Sequence, residues 1–74
     1  MSAKLQPADR VIRFVERNGV WWWEWGADAE PVTPRAYQYL RSVAKRHRVP
    51  LYYERPAVYL EAALARMDYD HGEN

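Results

Sequence analysis

From Val20 to Gly26 the chain reads VWWWEWG. Taken as a strand, this run sends Trp21, Trp23 and Trp25 to one face and Val20, Trp22 and Glu24 to the other. A carboxylate resists burial without a partner, so the odd-numbered face is expected to meet the core, with Trp23 at the centre of the inward trio. Trp22 then stands outside, beside Glu24. Glycines at Gly19 and Gly26 and an aromatic run between them favour a strand, because a helix would place Trp all round its axis and begin uncapped.

The rest of the pattern predicts three helices and one further strand. Residues 1 to 6 read as a loose arm. Between Pro7 and Asn18, the residues Ala8, Val11, Ile12 and Val15 gather at helical spacing while Arg10, Arg13 and Arg17 line another side. Pro7 suits a first helical position, Asp9 complements a helix N-terminus and Asn18-Gly19 is a stop signal, so a helix over 7–18 is expected. The following GADAEPVTP reads as a loop, with room for a short edge strand from Glu30 to Thr33 that Pro31 confines to an edge. Thr33-Pro34 then opens a helix to about His47, with Ala36, Tyr37, Leu40, Val43, Ala44 and His47 on its apolar face. Val49-Pro50 ends it. Leu51 to Glu54 alternates as a strand, Leu51 and Tyr53 facing one way and Tyr52 and Glu54 the other. Pro56 starts a third helix to about Met67, burying Leu60, Ala63, Leu64 and Met67, and DYDHGEN from Asp68 to Asn74 reads as a frayed acidic tail.

The expected architecture is a small single domain over residues 1–74, α/β or α+β in class, of order α-β-α-β-α, with a short sheet of two or three strands packed against helices. A whole helix lies between the two strands, which permits a parallel pairing by right-handed crossover; the alternative is an antiparallel arrangement built on the Glu30 to Thr33 hairpin. Two strands make a weak sheet, so a third strand, or a partner supplying one, is expected. An aromatic sheet edge is also a template for a second copy, which makes a symmetric homodimer a candidate assembly.

Composition sharpens this picture. Four Trp, six Tyr and one Phe in 74 residues exceed what one small core encloses, which leaves aromatic surface for a partner. The absence of Cys excludes disulfides, thiolate metal sites and cysteine nucleophiles, and fits a reducing cytoplasm. No apolar run approaches the roughly 20 residues of a membrane span, and the first twenty residues carry charges throughout, so a soluble cytoplasmic protein without a membrane partner is expected. Net charge is +1, too near neutral to imply nucleic acid by itself.

Catalytic chemistry finds little support. His47 falls on the apolar face of its helix and reads as a packed residue, while His71 with Asp68 and Asp70 offers a metal no fixed geometry. Ser2 and Ser42 lie in no nucleophile-elbow context, and three Gly form no phosphate loop. Neither an enzyme, a cofactor nor a metal is expected.

Two binding surfaces compete. Arg35, Arg41, Lys45, Arg46 and Arg48 have no acid among them and make a phosphate-contacting face. The segment SVAKRHRVPLYYERPAVYLEA superficially follows a helix-turn-helix, but Arg48 and Pro50 occupy the turn and Pro56 breaks the would-be recognition helix. A winged arrangement, with the second helix on DNA and the aromatic segment as wing, is the form of this alternative that survives. Against it stands a sheet face gathering Trp22, Glu24, Tyr52 and Glu54. Aromatics interleaved with carboxylates repel phosphate and suit a basic or amphipathic protein surface, and Trp and Tyr dominate protein interfaces. The favoured expectation is a non-enzymatic binding protein with a protein partner. In size and composition alone, such a chain looks like the small accessory proteins and inhibitors of phages and mobile elements.

Overall fold

The computed structural model describes residues 10–72, with side chains to residue 67. The loose arm over residues 1–6 and the start of the first expected helix fall outside that range. The elements run β1 (Ile12–Arg17), β2 (Val20–Trp25), β3 (Asp28–Pro31), α1 (Pro34–His47), β4 (Leu51–Tyr53) and α2 (Ala57–Gly72). The class is α+β, with one mixed four-stranded sheet of order β3-β2-β1-β4.

The expected helix over 7–18 is replaced by β1, and the reason lies in its turn. Asn18 and Gly19 have φ of 54° and 81°, and Arg17 pairs with Val20 across them. This is the two-residue loop whose positive dihedrals match the twist of flanking strands, and Asn-Gly is its preferred sequence. The same dipeptide that stops helices here closes a hairpin. Gly26, at φ 61°, opens a second tight turn, and β3 returns antiparallel to β2 with Trp25 opposite Asp28. The edge strand expected at Glu30 to Thr33 thus begins two residues earlier. Val32 prolongs the pairing, donating its N–H to the Trp21 carbonyl at 2.9 Å.

After this meander the chain crosses through α1 and returns as β4, parallel to β1, with Phe14 opposite Tyr53. α1 starts as expected: the Thr33 hydroxyl accepts the Ala36 N–H, and Pro34 follows in the first turn. It ends at Arg48, which caps in the left-handed region and donates its N–H to the Ala44 carbonyl. The two expected strands do share a sheet, but β1 separates them. The parallel pairing of these two strands is therefore overturned, since β4 pairs with β1 instead, while the antiparallel hairpin with the following edge strand is present as β2 and β3.

Both helices cover the same sheet face. Ile12 and Phe14 of β1, Trp21 and Val32 form one buried cluster with Tyr37, Leu40 and Ala44 of α1 and Leu60 and Leu64 of α2. Phe14 is its centre, with no exposed surface: the Tyr53 ring stacks on it at 5.0 Å and the Tyr37 ring meets it edge-on at 5.4 Å. Trp23 and Trp25 pack against this cluster while keeping some exposure. The inward trio is therefore correct as a face, but its deepest member is Trp21 rather than Trp23. Trp23, the cross-strand partner of Phe14, keeps some exposure, and Trp21 alone of the three enters the buried cluster.

Two helix details also depart from expectation. His47 is exposed rather than packed, although Val43 and Ala44 in the turn before it are buried. α2 continues past Met67 to Gly72, so the stretch expected to fray is largely helical; no Gly or Pro interrupts it earlier. Met67 itself is 38% exposed, beyond the reach of the core that buries Leu60 and Leu64.

These depths predict opposite outcomes for neighbouring tryptophans. Trp21→Ala is expected to cost about 3 to 5 kcal/mol through lost burial and a cavity, and Trp22→Ala much less. Thermal melts check this; a larger loss for Trp22→Ala would mean that the two faces are exchanged.

Candidate binding surfaces

The outward face is built from the residues that alternate away from the helices. β1 contributes Arg13, Val15 and Arg17, β2 contributes Val20, Trp22 and Glu24, and β4 contributes Tyr52, with Glu54 just beyond it. The register sets Arg13 opposite both Glu24 and Tyr52, and Val15 opposite Trp22. Trp22, Glu24, Tyr52 and Glu54 therefore do share a face, as expected. They are not contiguous, because the arginines of β1 run between them.

Those arginines change the electrostatics. Arg13 Nε lies 3.9 Å from Glu24 Oε1, and Arg17 Nη1 lies 3.1 Å from Glu54 Oε1. The Arg13 guanidinium also covers the Tyr52 ring at 5.3 Å. Glu54 Oε1 accepts the Glu16 backbone N–H at 3.2 Å as well, which holds this carboxylate at the end of the β1–β4 pair. Each exposed pair is worth about 0 to 1 kcal/mol. Their main effect is on the field: two cations and two anions cancel, and the face is neutral rather than acidic. Tyr52 is half exposed, and Trp22 is partly covered. Val15 is fully buried yet stands apart from the main cluster, so this face has a small apolar centre of its own. A shallow hollow of about 280 Å³ lies beside it, lined by Val11, Arg13 and Tyr52.

Spacing alone places Arg13 and Arg17 on a helical stripe, which is why the sequence pattern does not bring them to this surface. Hairpin chemistry at Asn18-Gly19 is the signal that could have done so.

Arg35, Arg41, Lys45, Arg46 and the C-cap Arg48 are all exposed, and helical spacing spreads the four within α1 over roughly 140° of the side away from the core. Arg41 and Lys45, one turn apart, flank an open groove of about 650 Å³, whose lining also includes Gln38, Ser42, Val49 and Leu51. Arg35 and Arg46 are exposed but do not line this groove. Arg41 lies over the Tyr37 ring at 5.5 Å.

A third constellation ties the helices to the sheet. Tyr37 donates its hydroxyl proton to Glu61 Oε2 at 3.2 Å, and with one proton to give it accepts from the Tyr53 hydroxyl at 2.8 Å. One buried oxygen thus connects α1, β4 and α2. Burial, followed by the bond to Tyr53 and the nearby Glu61 carboxylate, pushes the Tyr37 hydroxyl well above its ordinary value. It stays protonated, which suits a structural link and not a base. At the end of the sheet Arg55 binds Glu16 at 2.7 Å and stacks on Tyr59 at 4.3 Å; its guanidinium is held protonated chiefly by the Glu16 bond.

Among the described residues no group of three or more His, Asp or Glu side chains is placed to hold a metal, and no helix is long and apolar enough to cross a membrane. His71, Asp68 and Asp70 lie outside the residues whose side chains are described. The chain matches no family model, no curated protein and no solved structure.

The Tyr37 link predicts a pH signature. The folded state holds this proton more tightly than the unfolded chain, so the link's contribution is fully present below about pH 10, the ordinary tyrosine value, and is lost as the pH rises beyond it. Tyr37→Phe should cost about 1 kcal/mol at neutral pH. The stability difference between wild type and variant should shrink above about pH 10. Denaturant titrations over that range measure it, and a constant difference would show that the hydroxyl is not linked as described.

Proposed function

We propose that this protein is a non-enzymatic binding module that recognises a protein partner through the outward sheet face, with Trp22 and Tyr52 as anchors and Glu24 and Glu54 at the rim. One observation carries this: both helices pack on one side of the sheet, leaving two large aromatics on the other among Arg–Glu pairs that sum to zero charge. Neutrality matters to the choice of partner. A phosphate backbone approaching Arg13 or Arg17 must compete with Glu24 and Glu54 already in place, whereas a protein surface meets aromatic rings, a hollow between Val11, Arg13 and Tyr52 and polar groups able to pair outward. An accessory or inhibitory role of the kind found in phages and mobile elements fits a module of this size, as an analogy only.

The second reading is a small DNA-binding protein using α1. It is favoured by the run of exposed cations from Arg35 to Arg48 and weakened by a net charge of only +1.

Trp22→Ala and Tyr52→Ala are each expected to weaken partner capture by about 2 kcal/mol, roughly 30-fold, while Arg35→Ala and Arg46→Ala leave it unchanged. Titration with nonspecific duplex DNA at two salt concentrations should give no tight, salt-sensitive binding. Capture that survives both aromatic substitutions, or micromolar DNA binding that collapses with salt, would overturn this assignment in favour of α1.

A further inference from the structure

The two edges of the sheet are unlike. β3 carries Asp28, Glu30 and Pro31, the charged and proline residues that protect an edge from unwanted pairing. β4 carries Leu51, Tyr52 and Tyr53, with no charge or proline among them. Among the described residues β4 is paired on one side only, to β1. Ile12 donates to the Pro50 carbonyl at 3.0 Å, and Glu54 donates to the Phe14 carbonyl at 2.9 Å. The even-numbered residues of this segment therefore bond to β1. Alternation then turns the N–H and C=O groups of Leu51 and Tyr53 outward, along the free edge.

Beside this edge lies the open groove beneath α1. Val49 and Leu51 give it apolar walls, and Arg41 and Lys45 stand over it. Neither cation is paired to a carboxylate in any described ion pair. We infer that the groove and the free edge of β4 together take an extended acidic segment of another protein, which adds to the sheet as a fifth strand. Its backbone bonds to Leu51 and Tyr53, and its alternate side chains turn toward the helices. Carboxylates there meet Arg41 and Lys45, and apolar side chains meet Val49 and Leu51.

Charge selects this occupant over the others. A second copy of the chain pairing through its own β4 would bring two sets of Arg41 and Lys45 to one junction, cation against cation. A nucleic acid would answer the cations but leave the backbone groups of the edge and the apolar wall without partners. This surface lies on a sheet edge and is separate from the outward face that carries Trp22, so the two assignments stand or fall apart.

The test uses the full chain, isotopically labelled, and two synthetic eight-residue probes, one repeating Glu-Thr-Val-Thr and one repeating Lys-Thr-Val-Thr, so that the charged and apolar side chains share one face of the strand. With the glutamate peptide, taken to about 1 mM at low salt to reach weak affinities, NMR should show saturable shifts at the Leu51 and Tyr53 amides and along the Arg41 to Lys45 flank. The lysine peptide should bind at least tenfold more weakly, as should the glutamate peptide to Lys45→Glu, a variant on an exposed site that leaves the core intact. Trp22→Ala should bind the glutamate peptide like wild type. Absence of shifts at the β4 amides, equal binding of the two peptides, unchanged binding by Lys45→Glu, or a tighter response to a single-stranded oligonucleotide than to the glutamate peptide would each overturn the inference.

Discussion

β1 is hydrogen-bonded along both sides, antiparallel to β2 and parallel to β4, and the rest of the molecule is arranged around that fact. A strand bonded on both sides has its two faces fixed by the pleat: Ile12 and Phe14 must point one way, Arg13, Val15 and Arg17 the other. Phe14 on the inward side is the ring that Tyr53 and Tyr37 enclose. Slipping β1 by one residue would bury Arg13 beneath both helices and expose Phe14, a loss no other contact in a chain of 74 residues offsets. The core and the outward surface are thus two consequences of one register.

Much of this arrangement is legible in the amino-acid sequence. The alternation of β2, the Thr33-Pro34 opening of α1, its end before Pro50 and the strand at Leu51 to Tyr53 all follow from local chemistry that acts within a few residues. β1 is hidden because its pattern serves two periods at once. Val11, Ile12 and Val15 fall at helical spacing, and Val15 masks the strand alternation because it is an apolar residue on the outward face. Only the pairing with β2 decides between them, and pairing is not a property of the segment alone. The Tyr37, Tyr53 and Glu61 link is illegible for the same reason, since its members lie on three elements brought together by the crossover.

The candidate surface shows a related lesson. Trp22, Glu24, Tyr52 and Glu54 can be placed on one face by counting residues along two strands. The strand between them cannot, and with it go Arg13 and Arg17. Their pairing with Glu24 and Glu54 turns an acidic aromatic face into a neutral one. The preference for a protein partner survives this change on different grounds: the carboxylates occupy the cations rather than outnumber them. The cations of α1 share its exposed side, and two of them, Arg41 and Lys45, border the groove beside β4.

The placement of β1 is tested most directly by solution NMR. Interstrand NOEs are expected from Phe14 to Trp23 on one side and to Tyr53 on the other, with slow amide exchange through β1, since both of its edges are bonded. Sequential helical NOEs across Ile12 to Arg17, with no contact from Phe14 to either neighbouring strand, would contradict the account at its centre.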